Sequence, residues 1–71
     1  MMSPPNTPWQ VLRDLEFLCH WMELVSGRMT AVGRSEKLPP ELADRLLTHA
    51  QELCGAAQIA RGWAEGLEEE L

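Results

Sequence analysis

The fold is decided by residues 11–25, which read VLRDLEFLCHWMELV. Apolar side chains recur here at alternating intervals of four and three residues, and the rhythm continues to residue 32. This spacing is the heptad pattern of an α-helix that packs one apolar seam against another helix. The members of this first seam are Val11, Leu15, Leu18, Met22, Val25, Met29 and Val32.

Start and stop signals bound this first helix at residues 8–32. The Thr7 hydroxyl can accept the backbone N–H of Gln10, whose side chain can reach back, and Pro8 needs no hydrogen-bond donor at the first helical position. Gly33 favours a left-handed cap at the C-terminal end. Residues 1–7 are predicted to form a flexible arm and the N-cap.

A second helix is predicted over residues 40–70. It opens at Leu38-Pro39-Pro40-Glu41, because paired prolines can begin a helix but cannot lie inside one. The turn at 33–39 is short, and short connections join antiparallel neighbours. The prediction is an all-α single domain of residues 1–71, an antiparallel two-helix hairpin. The second seam comprises Ala43, Leu46, Ala50, Leu53, Ala57, Ala60, Ala64, Leu67 and Leu71.

One partner helix is too little to cover the first helix. Phe17, Trp21 and Leu24 flank its seam on one side and Leu12 and Cys19 on the other, so roughly 240° of its circumference is apolar, against the ~100° that one neighbour buries. We expect two hairpins to form a four-helix homodimer with the first helix inside; the alternative is a monomer with scattered exposed apolar residues. The predicted dimer and core residues are Val11, Leu15, Phe17, Leu18, Trp21, Met22, Leu24, Val25, Ala50, Leu53, Ala57 and Ala60.

Charge and composition restrict the class of partner. The chain has 71 residues, of which 45% are hydrophobic and 24% charged, and its net charge is -5. The whole net charge lies on residues 35–71, since acids and bases cancel over residues 1–34. Direct binding to nucleic acid needs a surplus of Lys and Arg, so we expect a protein partner with a basic surface. Neither a membrane span nor a secretory signal is predicted, and a cytoplasmic location is expected.

The sequence offers little for catalysis or metal binding. Cys19, His20, His49 and Cys54 are of zinc-binding types, but no two of them are spaced to share one helix face. The serines lie outside any nucleophile motif and there is no tyrosine. We expect no enzyme activity, no metal and no cofactor.

The two cysteines form a possible pair. If the hairpin folds about residue 36, Cys19 and Cys54 lie at the same height and on the same flank. A disulfide is then geometrically possible, whereas a reducing cytoplasm favours free, packed thiols.

Candidate partner-binding residues lie on the second helix. Gly55, Gly62 and Gly66 form a smooth strip beside an apolar residue and a tryptophan, which could anchor a docking helix or reflect neutral drift. The glutamates near the C-terminus could steer a basic partner or only solvate a frayed end. The candidates are Trp63, Ile59, Glu65, Glu68 and Glu69.

The size, the Thr7-Pro8-Trp9-Gln10 start, the two seams, the Leu38-Pro39-Pro40-Glu41 restart and the acidic second helix together resemble a known class. The chain resembles the small two-helix dimeric proteins that phages express against their hosts, and phage quorum-sensing anti-activators in particular. The resemblance implies a non-enzymatic inhibitor that binds the DNA-binding domain of a LuxR-type transcription regulator, and also a type IV pilus assembly ATPase. The alternative is a structural, adaptor or antitoxin-like helical subunit.

Overall fold

The computed structural model describes residues 7–71, and that part of the chain contains two α-helices and no strand. Helix α1 spans Pro8–Gly33 and helix α2 spans Pro40–Glu70. Both helices begin at the predicted residue, and α1 ends one residue later than predicted. The arm predicted for residues 1–6 lies outside the described residues.

The start of α1 follows the predicted capping only in part. Thr7 Oγ1 accepts the backbone N–H of Gln10 at 3.1 Å, and Pro8 takes the first helical position. The Gln10 side chain does not reach back to the cap; it donates to Asp14 Oδ1 at 3.0 Å, one turn further along. An i, i+4 hydrogen bond on the helix surface therefore replaces the second half of the capping box.

The end of α1 differs from the prediction of a left-handed glycine cap. No residue from 7 to 71 has a left-handed φ, and Gly33 is the last helical residue. Arg34 closes the helix in the right-handed region and donates its N–H to the Thr30 carbonyl at 3.0 Å. Gly33 meets a packing demand instead, since a Cβ there would lie 2.9 Å from Leu47 Cγ and 3.3 Å from the Ala43 carbonyl oxygen.

Contacts at three heights show that α1 and α2 run antiparallel. Gly33 packs beside Leu47 next to the turn. Further from the turn, the Ser26 hydroxyl donates to the Ala50 carbonyl at 2.7 Å, and Arg61 donates to Glu23 at 2.6 Å. A hairpin folded symmetrically about residue 36 would place Ser26 opposite residue 46. Ser26 instead contacts Ala50, so the predicted register of the two helices is wrong by one helical turn.

The two helices meet along a line of small residues. The buried residues of α1 lie seven positions apart. In α2, Ala50, Ala57 and Ala64 have the same spacing, and Ala60 is buried in addition. The alanines of the predicted second seam therefore face α1, as expected. We call the buried set the contact line: Leu12, Cys19, Ser26 and Gly33 of α1 with Ala50, Ala57, Ala60 and Ala64 of α2.

On α1 the contact line is not the first seam. Each of its members follows a seam residue by one position, so Val11, Leu18, Val25 and Val32 lie about 100° around α1 from the contact line. Leu15, Met22 and Met29 lie closer to it and are half-buried. Leu12 and Cys19, predicted to flank the seam, are buried against α2 instead. The physical reason is size, because small side chains let two backbones approach where Val and Leu would hold them apart.

The resulting core is very small. Leu12 is the only large apolar side chain buried among residues 7–71. The three tryptophans and the single phenylalanine of the chain are exposed. Such a core supplies little of the apolar burial on which a chain of this size depends.

Candidate functional site

The contact line divides the hairpin into two broad faces. In each helix, the residue immediately before a contact-line residue lies on one side of the line. The residue four positions after a contact-line residue lies on the other side. Glu23 follows Cys19 by four and Arg61 follows Ala57 by four, and their side chains meet on this second side. The two helices therefore contribute matching positions to each face.

The first side is apolar along nearly its whole length. On α1 it consists of the first seam, which contains no polar or charged residue. On α2 only His49 and Glu70 interrupt it. We call this the apolar face: the seven residues of the first seam with Leu42, Leu46, Leu53, Ala56, Trp63 and Leu67 of α2.

Much of the apolar face is accessible to solvent. Val11, Leu18 and Val32 are exposed on α1, as is Trp63 on α2. The other seam residues, from Leu15 to Met29, are half-buried. Exposed and continuous apolar surfaces of this kind are typical of interaction sites in folded proteins.

Other apolar residues lie at the outer edge of α1, beside the apolar face. Trp21 is exposed, and the Arg28 guanidinium lies over its ring, 5.9 Å from the ring centroid. Phe17 and Leu24 are exposed as well, Phe17 by 69%. The expectation that a single hairpin leaves these three side chains in water agrees with the structure, while the dimer inferred from it stays a prediction.

The predicted dimer and core residues thus fall into three groups. Ala50, Ala57 and Ala60 are buried within the hairpin. Half-buried positions form a second group, and exposed positions a third. The half-buried residues are Leu15, Met22, Val25 and Leu53, and the exposed ones are Val11, Phe17, Leu18, Trp21 and Leu24.

The second side of the hairpin holds a shallow cavity of about 130 Å³. Three carboxylates and one guanidinium surround it, over a floor made by a buried thiol and a buried methyl group. We call this the acidic groove, lined by Glu16, Cys19, Arg61, Ala64, Glu65 and Glu68.

Arg61 is held at the edge of the acidic groove by Glu23. The hydrogen bond to the Glu23 carboxylate, and then the charge of that group, raise the pKa of Arg61 above its ordinary value. The guanidinium therefore stays charged, and its charge is already paired across the two helices. With Glu16, Glu65 and Glu68 around it, this side of the hairpin keeps a negative surface.

The structure distributes the predicted partner-binding residues over different surfaces. Trp63 belongs to the apolar face, and Glu65 and Glu68 line the acidic groove. Ile59 and Glu69 are exposed on the outside of α2, away from both. The five residues do not form one site.

The predicted glycine strip also lies on the outside of α2. A Cβ at any of its three positions, Gly55, Gly62 or Gly66, would have no neighbouring atom within 4 Å. These glycines are therefore not required by packing within the hairpin.

Sequence reasoning missed the roles of Glu16, Glu23 and Arg61. The signal was present in the spacing, because Glu16 and Glu23 each follow a contact-line residue by four, as Arg61 does. This spacing identifies the three residues only when the contact line is already known, and the apolar pattern of α1 does not reveal the contact line.

The cysteines are free and differ in their surroundings. Cys19 is buried and opens on the acidic groove beside Arg61 and Ala64, whereas Cys54 is exposed. The prediction that the two cysteines lie at the same height along the hairpin is wrong, because it assumed a symmetric register about residue 36. Within residues 7–71 no three His, Cys, Asp or Glu side chains are grouped so as to hold a metal ion.

Neither described helix is long and apolar enough to cross a membrane. Comparison of the chain with protein-family models, curated proteins and solved structures finds no match.

Proposed function

We propose that this chain is a non-enzymatic inhibitor that acts as a homodimer and binds a basic surface of another protein. The observation that carries the proposal is the division of the hairpin into two opposite faces, one apolar and one acidic. A second copy on the apolar face would complete the core. The acidic groove would then remain open to a target.

The proposed target is the DNA-binding domain of a LuxR-type transcription regulator. A surface that contacts DNA phosphates is rich in Lys and Arg, and a carboxylate-lined groove is complementary to it. Glu65 and Glu68 project where such a surface would approach, and the net charge of -5 would speed the encounter. The resemblance to phage anti-activators supports the same target and adds a type IV pilus assembly ATPase as a second.

A structural or adaptor role is the second candidate. Exposed Trp63 and Ile59 on α2 favour it, because tryptophan and large aliphatic residues anchor apolar interfaces. An apolar complex would be nearly insensitive to salt, whereas capture of a basic surface would weaken as salt rises.

The test is a titration of the purified full chain into a LuxR-type DNA-binding domain at about 50 and about 200 mM salt. We expect binding that weakens with salt and that displaces the domain from its operator DNA. The double substitution Glu65→Lys with Glu68→Lys should weaken binding at least about tenfold, which is about 1.4 kcal/mol.

The matched control is Glu36→Lys with Glu52→Lys, which changes the net charge equally at positions that do not line the groove. It should bind within about twofold of the native chain. Equal losses in the two double variants would show that only the overall charge matters. Absence of binding by the native chain at both salt concentrations would reject the proposed target.

A further inference from the structure

The first seam of α1 is a complete heptad seam that α2 covers only in part. It keeps its alternating four- and three-residue spacing from Val11 to Val32, yet Val11, Leu18 and Val32 are exposed and its other members are only half-buried. Side chains spaced in this way interlock with a second helix that has the same spacing. In the hairpin, α2 covers only one edge of the seam and leaves the other edge exposed.

We propose that the first seam packs against the first seam of a second copy, across a two-fold axis. This assignment rests on the homodimer of the proposed function and names the surface that forms it. A two-fold interface brings the same patch of both subunits together, so the patch must be compatible with itself. The first seam meets this condition, because it has no charge to repel its own copy.

The opposite face does not meet the same condition. Two acidic grooves placed together would bring Glu16, Glu65 and Glu68 of one copy against the same carboxylates of the other. Like charges in contact across an interface oppose association. Electrostatics therefore selects the apolar face for self-association and keeps the acidic groove outside.

The exposed apolar area is of the size that a stable dimer needs. Six large side chains on and beside the apolar face are 38–63% exposed: Val11, Leu18, Trp21, Leu24, Val32 and Trp63. Taking the roughly 200 Å² of a fully exposed aromatic side chain as the upper value for each, they present at most roughly 600 Å² per copy. Complete coverage of all six in both copies would remove at most roughly 1,200 Å² from solvent, which is the lower end of the range of stable interfaces, and the half-buried seam residues would add to it.

This arrangement has a consequence for binding. Each hairpin carries its acidic groove on the side opposite its apolar face, so a face-to-face dimer presents two grooves that point away from each other. The dimer should therefore bind two target domains independently, in a 2:2 complex.

The first experiment measures mass by light scattering for the full chain and two charge-introducing variants. The native chain should have twice the 8.0 kDa mass of one chain, and Leu18→Glu should have the mass of one chain. Ile59→Glu is the matched control, because Ile59 is more exposed than Leu18, 59% against 47%, and lies outside the apolar face. It should remain dimeric.

A second measurement does not depend on whether Leu18→Glu folds. A photoreactive benzophenone amino acid in place of Leu18 should cross-link two chains on irradiation, whereas the same amino acid in place of Ile59 should not. A native mass of one chain, or equal cross-linking from the two positions, would overturn the assignment.

The outcomes separate this assignment from the proposed function. Glu65→Lys with Glu68→Lys should stay dimeric while losing the target domain. If the native chain is dimeric through Leu18 but binds no LuxR-type domain, the interface is correct and the proposed target is wrong. If the domain binds but the mass is that of one chain, the target is correct and the interface is wrong.

Discussion

Replacing Gly33 with alanine should destabilise the protein, against the usual preference of helices for alanine. Alanine inside a helix is favoured over glycine by up to about 1 kcal/mol. At Gly33, however, the new Cβ would lie 2.9 Å from Leu47 Cγ, 3.0 Å from Leu47 Cδ2 and 3.3 Å from the Ala43 carbonyl oxygen. Relief requires that the Leu47 side chain moves, and that the Ala43 carbonyl, which belongs to the backbone of α2, gives by a few tenths of an ångström next to the turn.

The net effect follows from these opposing contributions. Overpacking of a close contact costs about 1–3 kcal/mol, and the gain in helix propensity at the last residue of α1 is less than that in its middle. We expect Gly33→Ala to lower the free energy of unfolding by about 1–2 kcal/mol.

Gly27→Ala is the matched control within the same helix. A Cβ at Gly27 meets no atom within 4 Å, so only the propensity gain remains and the variant should be more stable by about 0.5–1 kcal/mol. The two variants should therefore differ by about 1.5–3 kcal/mol, with opposite signs relative to the native chain.

The assay is urea unfolding followed by far-UV circular dichroism at one chain concentration. Unchanged slopes with midpoints shifted in opposite directions would support the close approach of α1 and α2 at Gly33. Equal stabilisation by both alanines would refute it, because that result requires open space at Gly33.

Three further predictions concern the contact line and the acidic groove. Ala57→Leu should cost about 1–3 kcal/mol of unfolding free energy in the same assay, because Ala57 has no exposed surface, and an unchanged midpoint would place it in solvent. Cys54 should react with a thiol reagent in the native chain while Cys19 reacts only on unfolding, and equal rates would contradict the burial of Cys19. Arg61→Gln should shift the urea midpoint only slightly, and less still at high salt, since its bridge to Glu23 is half-exposed; a large shift that is insensitive to salt would contradict this.

The bounds of the helices are predictable from local chemistry. Thr7 and Pro8 start α1, and the paired prolines start α2, because the signals act through the backbone of neighbouring residues. The face that α2 turns to α1 is also predictable, since alanines and leucines alternate along only one side of it.

The face of α1 that packs on α2 was not predictable from hydrophobicity. Cys19, Ser26 and Gly33 are less apolar than the Val and Leu residues beside them, yet they lie between the helices because they are small. Ser26 is tolerated there because its hydroxyl donates to the Ala50 carbonyl. The apolar pattern detected a real seam, but size and hydrogen bonding determine that it lies beside the contact with α2 and not at its centre.

The position of the acidic groove depends on the register of the two helices. Glu16 and Glu68 are far apart in the chain and come together only once α1 and α2 are aligned. A symmetric fold about residue 36 misplaces this alignment by a turn. The acidic character of the second helix was predictable, and the contribution of Glu16 and Glu23 from α1 was not.

The central claim is that the small core of the hairpin is completed by a second copy. Its most direct test is thermal unfolding of the native chain over a hundredfold range of concentration. If unfolding includes dissociation, this range changes the free energy by about 2.7 kcal/mol, and for two chains of 71 residues the Tm should rise by roughly 9 °C. A sharp transition whose Tm does not change with concentration would contradict the claim.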